Sequence, residues 1–259
     1  AAVLERLAQD LEAAQKIRRK ILAATVYPMV LTVVALAVVT ILMVAVVPKV
    51  VTQFDSFGQE LPPLTKGVIA VSNGLQSYGL MALIVFGAGI FGFRQALKTE
   101  AFKRKWHQFL LKLPLVGRLI RDLNAARFAR TMAGLIQSGT PSLAAMETSQ
   151  YTLKNLIMRD AATNAAAYVR EGSPMSAALK KTKVFPPLVT QMVAGGETGG
   201  DVGLMFSKSA DYLEDEFESA TSIFMSLLEP LIIILLSCVV LLIIGAIFLP
   251  ILRLNTLVL

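Results

Sequence analysis

One short stretch concentrates residues that could do chemistry. GGETGG, residues 195–200, places Gly195, Gly196, Gly199 and Gly200 around Glu197 and Thr198. Glycine-rich loops of this kind can cradle a phosphate, and a carboxylate held by one can act as a general acid. The stretch matches neither G-x-x-x-x-G-K-[ST] nor G-x-G-x-x-G, and no strand precedes it. Without a Walker lysine it cannot run nucleotide hydrolysis alone. A hydrolase or transferase would instead need a nucleophile with its base, paired carboxylates or a metal cluster. His107 is the single histidine, in KRKWHQF among basic and aromatic residues beyond an apolar run, and reads as an interfacial residue rather than a base. Cys238 is the single cysteine and lies inside another apolar run, so no disulfide framework or thiolate metal site is expected. No H-E-x-x-H, C-x-x-C or D-x-D-x-D-G spacing occurs. The sequence therefore predicts no enzyme, no catalytic residue, no cofactor and no metal site.

The elements that hold GGETGG follow from composition. Of 259 residues 55% are hydrophobic and 17% charged, too apolar for an ordinary soluble domain. Three runs carry no charge: Ile21–Val47, Val68–Phe93 and Leu231–Leu252. Roughly 20 apolar residues cross a bilayer as a helix, so each suffices. Ser72, Asn73, Gln76 and Ser77 dilute the middle run, which places its membrane part at Tyr78–Phe93 and the preceding turns at the interface. The first run is too long for a signal-peptide core and follows a charged helical stretch. The net charge of +7 is distributed as a topology signal. Lys16, Arg18, Arg19 and Lys20 abut the first span, and Arg94, Lys98, Lys103, Arg104 and Lys105 follow the second. Lys49, Lys66 and Arg253 are the sparse cations on the other side. By the positive-inside rule the N-terminus and residues 94–227 are inside, and residues 48–67 and the C-terminus outside. Aromatic residues interleaved for base stacking are absent, which excludes nucleic acid as a partner.

The predicted fold is an all-α membrane protein with three transmembrane helices and one cytoplasmic helical bundle of about six helices. Its parts are a cytoplasmic helix (1–20) closing an earlier bundle, spans at 21–47, 68–93 and 228–252, an outer loop at 48–67, the bundle at 94–227 and an outer tail at 253–259. Leu113-Pro114 ends one bundle helix, and a longer one is expected from Gly117 to Ser138. In GTPSLAA (139–145) and GSPMSAA (172–178) a glycine closes one helix, Thr140 or Ser173 caps the next, and Pro141 or Pro174 occupies its first position. FPPL (185–188) begins another helix. A longer repeat places Tyr27-Pro28 on Glu229-Pro230 and Pro48 on Pro250, an offset of 202. Each copy reads as a charged helix, an x-Pro step, an apolar span and a second proline. The second copy follows a whole bundle and the first does not, so the chain is expected to be the C-terminal part of a longer protein.

Two groups of residues then read as interaction surface. In GGETGG a backbone role has Gly195 or Gly196 closing a helix, the later glycines allowing tight packing, and Glu197 hydrogen-bonded to orphan N–H groups near the start of the next helix, whose N-cap is Asp201. A hinge or partner contact is the alternative. Along that next helix Asp211, Glu214, Asp215 and Glu218 share one face, opposite Val202, Phe206, Leu213, Phe217, Ala220 and Phe224. The acidic stripe is a solvated face, a docking stripe for a basic partner, or a match for Lys16, Arg18, Arg19 and Lys20 within or between protomers. Pro28, Glu229 and Pro230 mark where two spans begin. Glu229 is the one ionisable residue a transporter reading could use, and it sits at a span's end rather than at the midplane.

Several segments together resemble the GspF/PilC family, inner-membrane F proteins of bacterial type II secretion. They are YPMVLTVVALAVVTILMVAVVPKVV, QELPPLT, LPLVGRLIRDLNAARFARTMAGLIQSGTPSLAAME, VREG, FPPLVTQMVAGGETGGDVGLMF and LLEPLIIILLSCVVLLIIGAIFLPILRLNTLV. LPPLT and PILRLN favour the secretion branch over the type IV pilus branch. The resemblance implies two homologous bundles alternating with three spans. It also implies a bacterial inner-membrane assembly platform that couples a cytoplasmic ATPase to extraction of pseudopilins. Partners implied are the lipid bilayer, that ATPase, other inner-membrane secretion components, pseudopilins and further copies of the chain. A pilus-biogenesis platform is the alternative within the family, and a channel or transporter the alternative outside it.

Overall fold

The computed structural model describes residues 26–49 and 62–255, with side chains to 249. Among the described residues the regular elements are helical. They are α1 (Val26–Lys49), α2 (Pro63–Ala96), α3 (Glu100–Lys112), α4 (Pro114–Gln137), α5 (Ser142–Ser149), α6 (Leu156–Arg170), α7 (Met175–Lys181), α8 (Pro187–Gly199) and α9 (Val202–Asn255). A 3-10 turn, Gln150–Thr152, follows α5. Residues 95–223 form one compact unit, and residues 26–49, 62–94 and 224–255 form the other. The helix begun at Val202 passes Glu229-Pro230 without ending, so α9 contributes to both.

The first unit is a helical bundle whose core is built from small residues and a few large ones. Ala125, Ala126, Ala129 and Ala133 on α4, with Ala161, Ala162, Ala165 and Ala166 on α6, are buried. Alanine faces let helix axes approach closely while paying little side-chain entropy. Phe128 fills the remaining space, its ring 5.2 Å from Phe185 and 6.3 Å from Phe206. Pro114 and Pro187 take first-turn positions where a missing N–H is harmless. The two repeated cap sequences differ from expectation. Gly139 and Gly172 close helices in the left-handed region, but the N–H groups of Thr140 and Ser173 bond back to Leu135 and Tyr168 carbonyls at 2.9 Å. These residues complete C-terminal caps, and Pro141 and Pro174 stand one place earlier than predicted, at the N-cap.

In the second unit α1 and α2, and α9 as far as Leu249, have the length and apolar composition of membrane spans. Leu36, Leu80, Phe86, Phe91, Leu231 and Leu241 are exposed, as lipid-facing residues must be. α1 and the second part of α9 lie side by side in the same direction. Tyr27 donates to Glu229 at 3.0 Å near one end, and Met43 and Val47 pack with Ile243 and Ala246 near the other. Tyr27 and Glu229 are equivalent positions of the repeat, 202 residues apart.

The prolines that end the two copies each orphan a carbonyl. Pro250 has no N–H to serve Ala246 one turn earlier. In α1 a π turn, Leu42–Val46, directs the Val47 N–H to the Leu42 carbonyl, and Pro48 offers nothing to Met43. Both carbonyls are satisfied by hydroxyls of α2: Thr65 donates to Ala246 at 2.7 Å and Ser72 to Met43 at 2.5 Å. In hydrocarbon such groups must find an internal partner. Thr65 and Ser72, in the turns before Tyr78, are buried contacts between helices.

Candidate functional site

Glu197 lies within a helix, not in a turn. α8 continues through Gly195, Gly196 and Glu197 to Gly199, and the closing residue is Gly200, with φ +80°. An L side chain is strained there, which is why the chain turns at this glycine and not at Gly195 or Gly196 as expected. Gly196 has a different reason. A Cβ on it would stand 2.9 Å from Val202 Cα and 3.1 Å from the Asp201 carbonyl oxygen, so its absence lets the start of α9 fold against α8. Gly195 and Gly199 meet no such neighbour. Tight packing belongs to Gly196 rather than to the later glycines.

The Glu197 carboxylate caps a helix, but not the predicted one. Its Oε1 accepts the Met175 N–H at 2.5 Å; its Oε2 accepts the Ser176 N–H at 3.3 Å and the Ser176 hydroxyl. These are orphan donors of α7, whose N-cap is Pro174 and has no side-chain acceptor of its own. The α9 start is served by Asp201, whose Oδ1 accepts the Leu204 N–H at 2.9 Å, as its N-cap position predicted. Negative charge at a helix N-terminus is also favoured by the helix dipole.

The acidic stripe is partly used inside the bundle. Arg130 of α4 donates to Asp211 at 2.6 Å and to Glu214 at 2.8 Å and 3.3 Å. Burial alone would lower the Arg130 pKa, yet hydrogen bonds and charge from Glu214 and Asp211 carry it above its ordinary value. Asp215 and Glu218 remain exposed. The stripe is therefore not a uniform solvated face. Lys16, Arg18, Arg19 and Lys20, its expected counterparts, lie outside the described residues, as do the spans' flanks at 1–25 and 50–61. No pattern in the sequence singles out Arg130, because the pairing joins residues more than 80 positions apart.

His107 belongs to the bundle, where its Nδ1 accepts the Leu156 N–H at 3.0 Å at the start of α6. Burial, then the charge of Lys103, lowers its pKa below the ordinary histidine value and keeps Nδ1 free to accept. Beside it the Asn155 Oδ1 accepts the Ile157 and Met158 N–H groups at 3.0 Å and 3.4 Å, and the Asn124 Oδ1 accepts those of Lys154 and Asn155. These are fold-defining polar contacts, not proton-transfer chemistry. Among the described residues no group of three or more His, Cys, Asp and Glu gathers to hold a metal.

What the geometry offers is a bundle braced by charged cross-links and joined to membrane helices, and the chain's likeness to known proteins agrees. The family described as type II secretion system (T2SS), protein F, matches residues 1–48 and 128–250. Type II secretion system protein F of Aeromonas hydrophila is 43% identical over 256 residues, covering 99% of this chain and 66% of that protein. The protein of the same name from Pseudomonas aeruginosa is 42% identical over 99% of this chain and 63% of its own length. Type IV pilus assembly protein PilC of Thermus thermophilus is 35% identical, over 97% of this chain and 62% of its own length. The chain thus spans just under two thirds of the length of each of these relatives. With its apolar helices matched in order along almost the whole sequence, the chain belongs to the type II secretion system protein F family.

Proposed function

We propose that the chain is part of an inner-membrane assembly platform of type II secretion, a structural rather than catalytic role. In it the cytoplasmic bundle receives force from an ATPase and the membrane helices pass it to pseudopilins being extracted and assembled. The observation that carries this reading is 43% identity to a type II secretion protein F along 99% of the chain. α9 supports it, because a single helix from Val202 to Asn255 provides a continuous covalent path from bundle residues to membrane residues. Other inner-membrane secretion components and further copies of the chain complete the set of partners. Type IV pilus biogenesis is the second reading, favoured by the PilC relatives, whose identity is lower at 35%. Affinity purification of the full-length protein from membranes, in a strain holding both systems, distinguishes them. Recovery of the secretion ATPase and loss of exoprotein secretion on deletion support the platform. Recovery of the pilus ATPase with intact secretion assigns the second reading, and ion or solute flux through reconstituted protein without either ATPase overturns both.

A further inference from the structure

The bundle carries a groove of about 920 Å³ that none of the preceding roles uses. Its walls come from separate elements. α4 supplies Arg118 and Arg121, the end of α7 and the turn after it supply Lys180 and Lys183, and α9 supplies Tyr212 and Glu216. Val184 and Leu188 give it a half-buried apolar lining. Of the charged residues lining it, four are cations and two, Asp122 and Glu216, are carboxylates.

The cations are unequally committed. Arg118 is hydrogen-bonded to Glu216 and lies 3.8 Å from Asp122, so one cation answers both carboxylates. Arg121 donates to the Gly117 carbonyl of its own helix at 3.2 Å. Lys180 and Lys183 are exposed, and their side-chain amines have no hydrogen-bond or ion-pair partner among the described residues. Lys183 is also the one non-glycine among the described residues with positive φ, at 57°. It occupies the left-handed position just past α7, where glycine is the favoured residue. A lysine held in a conformation that disfavours its own side chain points to a use for that side chain.

We propose that this groove docks an acidic, extended segment of a protein partner, its carboxylates meeting Arg121, Lys180 and Lys183 and an apolar side chain resting on Leu188 and Tyr212. The excess of cations over carboxylates supplies the complementarity. Cations on different helices with apolar surface between them suit a segment that alternates charge with apolar bulk. A compact anion would require donors converging on one point. The groove lies wholly within the bundle, so its chemistry holds whether or not the chain couples to an ATPase.

The test uses the full chain in nanodiscs of uncharged lipid and a fluorescent peptide in which glutamates alternate with leucine and tyrosine, followed by anisotropy. Binding is expected, and the pair Lys180→Glu with Lys183→Glu weakens it about tenfold or more, while Lys154→Glu, outside the groove, leaves it unchanged. Lys183→Gly separates docking from folding, because it relieves the backbone strain: it raises the melting temperature and weakens binding roughly threefold. The proposal is overturned by absence of binding, by equal binding of the same peptide with glutamines for glutamates, or by equal weakening in Lys154→Glu. It is also overturned if Lys183→Gly binds as well as the parent chain.

Discussion

Glu197 shows how a single carboxylate can hold two helices together. Its oxygens satisfy two backbone N–H groups and one hydroxyl at the start of α7 from a position on α8. Hydrogen bonds to a charged acceptor contribute about 1.5–3 kcal/mol, so Glu197→Ala should lower bundle stability by about 2 kcal/mol in denaturant titrations of the detergent-solubilised protein. Glu197→Gln keeps one acceptor oxygen and should fall between the two. If Glu197→Ala leaves stability unchanged but abolishes secretion, partner contact is its main role. His107 gives a pH-dependent counterpart. Its folded pKa is depressed, so the unfolded chain binds the proton more readily. Its contribution is therefore complete above the unfolded value, about pH 6.5, and is lost as pH falls through the lower folded value. Melting temperatures of the parent chain should drop between about pH 7 and pH 5, and His107→Ala should melt lower at pH 7 with a flatter profile.

At the scale of elements, α2 is held in place by two hydroxyls that answer two prolines. Thr65 and Ser72 lie two helical turns apart and take the carbonyls that Pro250 and Pro48 leave open on the neighbouring helices. Interhelical hydrogen bonds in membranes are worth about 0.6–2 kcal/mol. Ser72→Ala or Thr65→Val should each destabilise the membrane unit within that range, whereas Thr65→Ser should be close to neutral. Unfolding in mixed micelles reads the difference; equal loss for Thr65→Ser and Thr65→Val would show that packing, not the hydroxyl, matters. The π turn in α1 belongs to the same arrangement, because it selects Met43 as the open carbonyl.

At the scale of the whole molecule, family membership and three long apolar helices make the chain a multi-pass inner-membrane protein. Its orientation is read from charge alone. Arginine and lysine gather before the first span and after the second, so reporters fused near Gly58 and after Leu259 should both register the periplasm and one near Tyr151 the cytoplasm. A cytoplasmic signal near Gly58 would invalidate this orientation.

Helix type, the apolar spans and the repeat were legible in the sequence because each depends on local composition and periodicity. Uncharged runs of sufficient length, a proline at Pro114 and Pro187, and Asp201 as a cap all act on their immediate neighbours. The identity of partners across space was not legible. Glu197 caps α7 rather than α9, Arg130 takes Asp211 and Glu214, and Ser72 is buried against Met43. Each of these contacts joins residues at least 21 positions apart, and which of several equally polar side chains meets a given orphan group depends on how helices pack. The tertiary structure alone decided that, because alanine faces and Gly196 set the approach of the helices and only then brought donor and acceptor within reach.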